Sequence, residues 1–434
     1  MNQTLHAGRP PARAAGAPAA PGPLDVAFVG SVVPTAMGTT HAFSPAGNKF
    51  QVNLVDHLAR SAGASVETFT VRPLAAFPGD RVVGYGGGRA TLDDTGAGAR
   101  LVPFVNVRGL KEATVAASLM GHLARWATAH RARGPRALLV YNLFSPLALP
   151  VLATARAWRV PAVAVVADLP FIYSFRGVKG VLERVDFQAQ LAMLRRFDGL
   201  VVLTRHIAED HAPGVPWMLM EGAVPAGERA APADAPADDG PAPGERVAMY
   251  SGMLNEMNGI PLLLEAFDRL REPGWRLWIY GGGPLQGAVE AAARRDPRIE
   301  YHAWDRVPAA EVRRRQRQAT VLVNPRPSGE RVNRYTFPSK LMEYLASGTA
   351  TVSTAIPGIP EEYHPYLELA RDETPDGLAQ AIRRAAGRPD GERQARGAAA
   401  REWVLREKGW ERQAERIGVF LRGLARPRLV RGGG

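Results

Sequence analysis

The sequence predicts an α/β chain built as two doubly wound, mostly parallel sheets that face each other across a cleft. Three observations carry that prediction. Apolar runs of strand length, such as Leu24–Gly30 and the run 161–167, alternate with longer stretches whose apolar residues recur at helical spacing. Strands with no polar alternation belong in sheets covered by helices on both faces, and their crossovers are right-handed. The alternation occurs twice, and between the two series lies 222–244, dominated by Ala, Pro, Asp and Gly, which reads as a linker and not a packed element.

The first series begins with the buried strand 24–30. A long loop follows, then a helix opening at Gly47, whose Phe50, Leu54, Val55 and Leu58 share one face. The segment 65–71 is a second strand, and the Gly-rich stretch 84–98 is a loop or hairpin excursion. A helix over 110–131 leads to strands 137–141 and 161–167 with a helix between them. A helix over 177–197 and a strand over 199–203 complete the domain. The second series runs strand 246–251, helix 260–270, strand 276–280 into Gly281-Gly282-Gly283-Pro284, strand 299–302, helix 309–318 and strand 320–323. These two halves are Rossmann-like, and ligands of such sheets bind at the carboxyl ends of the strands. Arg401–Arg422, with Trp403, Trp410 and Phe420, is the candidate for a last helix crossing back to the first domain. The expected division is a disordered tail over 1–23, a first domain over 24–221, the linker, a second domain over 245–400, and a crossing helix with a basic tail over 401–434.

Composition sets bounds. With 46% apolar and 22% charged residues over 434 positions, the chain has ample material for two large cores. It has no cysteine, which excludes disulfides and thiolate metal sites and fits a reducing cytoplasm. The net charge of +12 comes from scattered arginines without a nucleic-acid recognition motif. It fits an anionic membrane surface or polyanionic substrates as well as a plain arginine bias. The first residues lack the apolar core of a secretory signal. Ala137–Ala155 carries no charge, but Asn142, Ser145, Pro146 and Pro150 interrupt it, so it reads as strand, loop and helix, not as a membrane span.

The stretch Asn324–Glu362 holds the densest chemistry. It starts as a polar loop with Arg326, Arg331 and Arg334. Pro338 and Ser339 then open a helix that Gly348 closes, followed by a second β-rich run, 349–354. On that helix Lys340, Glu343 and Ser347 share one face, while Leu341, Met342 and Leu345 face the core. A helix N-terminus beside Arg and Lys suits a phosphate, and a carboxylate one turn further suits a ribose or sugar diol. An ordinary helix with a solvated charged face has the same spacing.

The motif FPSKLMEYLASG, residues 337–348, resembles the donor-binding signature of retaining glycosyltransferases of the GT-B fold, family 4. It is most like the subset with an aromatic-Thr/Ser-FPSK-x-x-EYLASG pattern, common in bacterial surface-polysaccharide synthesis. The resemblance runs from about residue 24 to residue 417, strongly in the second half. It implies two Rossmann-like domains, a nucleotide-diphosphate sugar as donor, and Glu343 on the donor ribose. Of the family's two glutamates eight residues apart, the first falls on Tyr335. Many relatives carry an Arg and a Lys-Gly for the diphosphate where this chain has Met253 and Asn258-Gly259. Arg326, Arg334 and Lys340 are then the nearest groups to meet that charge.

Strand ends supply the other candidates. Gly252 and Gly281–Gly283 permit close approach of backbone to a donor. Asn142 and Asp168 end strands of the first domain, with Asp168 placed to orient or deprotonate an acceptor hydroxyl. Asn48 and Lys49 sit at a helix start, on the acceptor or phosphate side, and Ser339 joins the donor set. No Gly-x-Gly-x-x-Gly fingerprint follows a strand, which argues against a nicotinamide enzyme. No metal is expected, because no cluster has metal-ligand spacing and Asp234, Asp238 and Asp239 lie in the linker. No cofactor is expected beyond the sugar nucleotide.

The resemblance implies retention. With no nucleophilic carboxylate identified near the sugar, front-side attack is the expected route, with Lys340, an arginine and the Ser339 helix end stabilising the departing diphosphate. The expected activity is sugar transfer to a lipid-linked or growing glycan, in the cytoplasm or peripherally on the inner face of the membrane. The alternatives are a sugar-nucleotide 2-epimerase or hydrolase of the same fold, and a noncatalytic partner subunit.

Overall fold

The structure, a computed structural model, describes residues 23–33, 45–92, 97–167, 169, 177–224 and 240–425. The strands begin with β1 (Leu24–Gly30), β2 (Ala64–Thr70), β3 (Gly84–Tyr85), β4 (Gly88–Thr91), β5 (Gly98–Leu101) and β6 (Phe104–Val105). They continue through β7 (Arg136–Tyr141), β8 (Ala162–Val166), β9 (Gly199–Val202) and β10 (Trp217–Leu219). Eight of these form one sheet in the order β10-β9-β8-β7-β1-β2-β5-β4, parallel except for the antiparallel β4–β5 edge. The Gly-rich excursion thus becomes an edge hairpin strand plus a small β3–β6 ribbon. Glycine leaves no side-chain period to read, so its pairing had no signal in the sequence.

The second sheet is wholly parallel and comprises β11 (Arg246–Met253), β12 (Trp275–Gly282), β13 (Ile299–Ala303), β14 (Val321–Asn324), β15 (Thr351–Ser353) and β16 (Glu368–Leu369). Its order, β13-β12-β11-β14-β15-β16, reverses direction between β11 and β14. In the first sheet the reversal falls between β1 and β7. Such switch points leave a crevice at the strands' carboxyl ends. The register deepens the second one. β11 stays paired with β12 as far as Met253–Gly282, whereas its pairing with β14 covers only Ala248–Val321 and Met249–Leu322.

Both faces of both sheets are buried. In β1, Ala27 and Val29 join one core with Leu138 and Val140, while Val26 and Phe28 join another with Ala137 and Leu139. In β11, Ala248 and Tyr250 face one core, and Val247 and Met249 the other. This two-residue period explains the continuous apolar runs.

The expected crossing helix, Arg401–Arg422, is two helices, Asp390–Glu407 and Trp410–Ala425. Trp403 and Val404 pack in the second domain, and Trp410, Ile417 and Leu421 pack in the first. The break falls at Lys408-Gly409, where the glycine is a local stop signal. Val224 donates its N–H to the Lys408 carbonyl at 2.9 Å, so the two chain crossings between domains pair side by side. The expected 1–23 tail lies, except for Pro23, outside the described residues, as do linker residues 225–239 and the end of the basic tail from 426. Among the described residues no helix is long and apolar enough to cross a membrane.

Candidate active site

A cleft of about 680 Å³ opens between the two switch points. Its first-domain wall includes Ser31, Asn48, Lys49, Tyr141 and Asn142, and its second-domain wall includes Arg326, Thr336, Ser339, Met342 and Glu343. Residues from the two ends of the chain's alternating pattern therefore meet in one volume, as the strand-end rule requires.

The first wall is held by its own polar groups. The Asn48 side chain accepts from Val33 N at 2.7 Å and donates to Val33 O at 3.1 Å, fastening the loop after β1. Its neighbour Lys49 is exposed on the cleft. Asn142 stands at φ 57°, a left-handed conformation that is uncommon outside glycine. Its side chain accepts from Ala167 N at 2.9 Å, tying the ends of β7 and β8 together. Asp168, the expected acceptor-side acid, lies outside the described residues.

The second wall is organised by the helix Lys340–Ser347, which ends at Gly348 with φ 78°. Leu341, Met342, Tyr344 and Leu345 are buried beneath it, and Glu343 is exposed toward the cleft. Arg326 follows β14. Its Nε donates to Asn258 Oδ1 at 2.9 Å, and its Nη1 donates to Thr336 Oγ1 at 3.2 Å and Asn333 Oδ1 at 3.4 Å. Burial lowers its pKa from the ordinary arginine value. Lys340 shares Glu343's side of the helix, but its amine turns inward. Nζ donates to the Tyr250 hydroxyl at 2.8 Å and lies 4.1 Å from the centre of that ring. Burial, and then the Arg326 guanidinium, push the amine well below its ordinary pKa, against a smaller opposing pull from Glu343.

The expected glycines serve the strand ends and do not line the cleft. A Cβ on Gly281 would lie 2.0 Å from the Gly252 carbonyl oxygen, so Gly281 lets β11 and β12 close together. Gly252 has φ 142°, and a Cβ there would meet Lys340 Nζ at 3.3 Å. Gly282 ends β12 and Gly283 follows it at φ 149°.

Arg334 is also placed elsewhere. It pairs with Asp210 of the first domain, and Tyr335 donates to the same carboxylate at 3.0 Å. Tyr335 is buried in the first domain's core, with the His211 ring 5.2 Å away. The position that the family resemblance gives to a first glutamate is here an interdomain contact.

Sequence reasoning missed the aromatic side of the cleft, formed by Phe50, Tyr141, Phe144 and Trp410. Phe50 lies tilted against Tyr141 and edge-on to Trp410, with centroids 5.8 and 5.2 Å apart. Helical periodicity assigned Phe50 to a core, and only the crossing helix shows what it faces. Glu221 was missed as well. It lines the cleft, its side chain is fully buried, and it pairs with Lys408 at 2.8 Å. Among the described residues no cluster of His, Asp or Glu has metal-binding geometry.

Residues 245–387 match the family described as Glycosyl transferases group 1. No curated protein matches the sequence. Among solved structures, a sucrose-phosphate synthase from Thermosynechococcus elongatus is similar at 17% identity, with 92% of this chain and 98% of that chain covered and a TM-score of 0.58. The apo form of the lipopolysaccharide outer core galactosyltransferase WaaB is similar at 14% identity, covering 91% and 99%, with a TM-score of 0.60. HepE from Anabaena, solved in complex with UDP, is similar at 10% identity, covering 92% and 100%, with a TM-score of 0.57. At these identities the likeness establishes the fold. The chain has the GT-B architecture, and its group 1 domain places it among glycosyltransferases as a class of enzyme.

Proposed function

We propose that the chain transfers a sugar, with retention, from a nucleotide-diphosphate sugar to a lipid-linked or growing glycan acceptor. The observation that carries this reading is the cleft itself. Glu343, Ser339 and Arg326 share one wall, across from Lys49 and Asn142 on the other. A carboxylate for ribose hydroxyls, a helix N-terminus and a guanidinium for diphosphate, and a separate polar wall for an acceptor are the parts such a transfer needs. HepE, of the same fold, is solved with UDP, which supports a uridine or related diphosphate as donor. Two walls from two domains also give a means of excluding water while the donor is activated.

The leaving diphosphate gains negative charge as the glycosidic bond breaks. Arg326 and the Ser339 end of the helix are fixed donors on the donor wall, and Lys340 adds a cation behind it. Asn142, and Asp168 by its place in the sequence, are assigned to orienting the acceptor hydroxyl. A thermal-shift screen against nucleoside diphosphates and their sugars tests the donor, because a ligand of the folded state raises its melting temperature. Turnover of the stabilising donor only when a glycan acceptor is added supports transfer. Brisk turnover of donor alone would instead favour epimerisation or hydrolysis.

Peripheral membrane association belongs to the same proposal. Arg184, Val181 and Val185 are exposed on the helix Gly177–Leu194, and Arg195 and Arg196 are exposed just beyond it. The side chain of Lys179, on the same helix, lies outside the described residues. Mixed apolar and basic exposure suits an anionic lipid surface, and salt-sensitive flotation with anionic vesicles is its test.

A further inference from the structure

We propose that Tyr250 and Asn258, joined through the carbonyl of Met253, are the positioning residues that set where the two cations of the leaving-group site, Lys340 and Arg326, are held. The inference rests on the donor reading above and names what replaces the charged side chains absent at positions 253 and 258.

The geometry is a continuous relay. The Tyr250 hydroxyl donates to Met253 O at 2.7 Å and accepts from Lys340 Nζ at 2.8 Å. Its one proton is committed to the carbonyl, so the oxygen can only accept from the ammonium. Asn258 mirrors this on the other side. Its Nδ2 donates to the same Met253 O at 3.1 Å, and its Oδ1 accepts from Arg326 Nε at 2.9 Å. Asn258 N donates to Asn255 Oδ1 at 2.8 Å, which fixes the turn. One carbonyl thus orients two side chains, and each of them presents an oxygen to one cation. Tyr250 and Asn258 are both buried, so neither oxygen is exchanged for water in passing.

The arrangement also explains two departures from the charged pattern. A lysine at 258 would place a third cation against Arg326, whereas the amide accepts from it. Gly252 has no Cβ to cover the Lys340 amine, which would lie 3.3 Å from such an atom. The amine therefore lies against the backbone at Gly252, at the crevice end of β11, where a glycine leaves room for it. The groups that face it are Tyr250 on β11, Arg326 on the loop after β14 and Glu343 on its own helix, while Tyr344 of that helix faces Tyr250. With a nearby guanidinium disfavouring the ammonium, the hydrogen bond that Lys340 donates to Tyr250 has large leverage on its charge.

The test is calorimetric titration with UDP, and with GDP and ADP, from acid to alkaline pH. The unaltered chain is expected to bind one of them and to lose affinity as pH rises through the lowered folded value of Lys340. Tyr250→Phe fills the same space and leaves Met253 O its Asn258 donor, so it is expected to fold. It removes the acceptor for the ammonium, so this loss moves to lower pH and affinity there falls about tenfold, the worth of one hydrogen bond to a charged group. Lys340→Arg in the Tyr250→Phe background does not titrate and gives a flat profile. Asn258→Asp neutralises Arg326 and weakens binding at every pH, without moving the profile. An unchanged profile and affinity in Tyr250→Phe, with the unaltered chain binding, overturns the relay alone. If the unaltered chain binds none of the three diphosphates, the donor reading falls and the relay falls with it.

Discussion

Arg334 grips Asp210 across the domain boundary, with Nε 2.8 Å from Oδ2 and Nη2 3.1 Å from Oδ1. The bidentate pair is joined by the Tyr335 hydroxyl and, one turn away, by His206 Nε2 facing Pro357 O at 3.2 Å. It joins the domains at a contact separate from the Val224–Lys408 crossing, so it acts as a latch on their relative position. The Arg334 hydrogen bond holds the Asp210 carboxyl below its ordinary value. A carboxyl depressed in the folded state contributes stability above its ordinary pKa of about 4 and loses it as pH falls through the lower folded value. Both side chains are partly exposed, which limits the contribution to about 1 kcal/mol or less. Asp210→Asn is expected to lower the melting temperature at neutral pH, with the two curves converging in acid. A gap that stays constant down to acid pH would exclude this origin.

Glu221 and Lys408 make the opposite kind of pair. Their side chains are 0% and 4% exposed, and Lys408 also donates to Glu362 at 2.7 Å. Burial raises the Glu221 pKa, and the Lys408 ammonium opposes that rise. Removing one partner strands the other charge between the two chain crossings. Lys408→Met is therefore expected to cost about 3–5 kcal/mol in denaturant unfolding. The double change Lys408→Met with Glu221→Met should recover much of that loss. A double variant as unstable as the single one would show that the packing of Lys408, and not the stranded carboxylate, is responsible.

The sequence made the parallel strands legible because burial on both faces left uninterrupted apolar runs, and Gly348 and Pro338 bounded the donor helix. It could not assign the three loop arginines. Arg326 faces the cleft and Arg334 faces Asp210 because of how 325–337 folds against the first domain, which no local spacing encodes. The same holds for Lys340. Helical period put it on Glu343's side, yet four flexible methylenes let the amine turn back to Tyr250. Trp403 and Trp410 read as one helix because their spacing allows it, yet Gly409 between them is a stop signal, and Val224, far away in the chain, donates to the Lys408 carbonyl at that break.

Glu343 tests the donor wall directly. It is exposed on a helix whose opposite side is packed, so Glu343→Gln should leave the fold intact. A carboxylate that accepts from a ribose diol forms charge-assisted hydrogen bonds, which the amide weakens. The expected outcome is a KM for donor raised about tenfold with a smaller change in kcat, the pattern of lost uniform binding. Unaltered kinetics with a confirmed donor would remove Glu343 from the site.

Lys340 and Arg326 are expected to fail differently, and the difference identifies their roles. A donor diphosphate brings about two negative charges into a closing cleft, where unpaired charge is costly. Arg326 already faces that cleft, while the Lys340 amine lies against the backbone at Gly252. Ground-state binding therefore falls mainly to Arg326, and the growing charge of the leaving group draws on Lys340. Lys340→Ala is expected to lower kcat about 100-fold or more, the scale of losing one preorganised donor to transition-state charge, with a smaller rise in KM. Arg326→Lys keeps the charge but loses the fork that reaches Asn258, Asn333 and Thr336 together, so KM should rise and stability should fall. Steady-state kinetics and thermal melts on both variants decide the matter. Full activity in both would place the diphosphate on the opposite wall, at Gly47-Asn48-Lys49 near the start of the helix Pro45–Arg60, where Lys49 is exposed to the cleft.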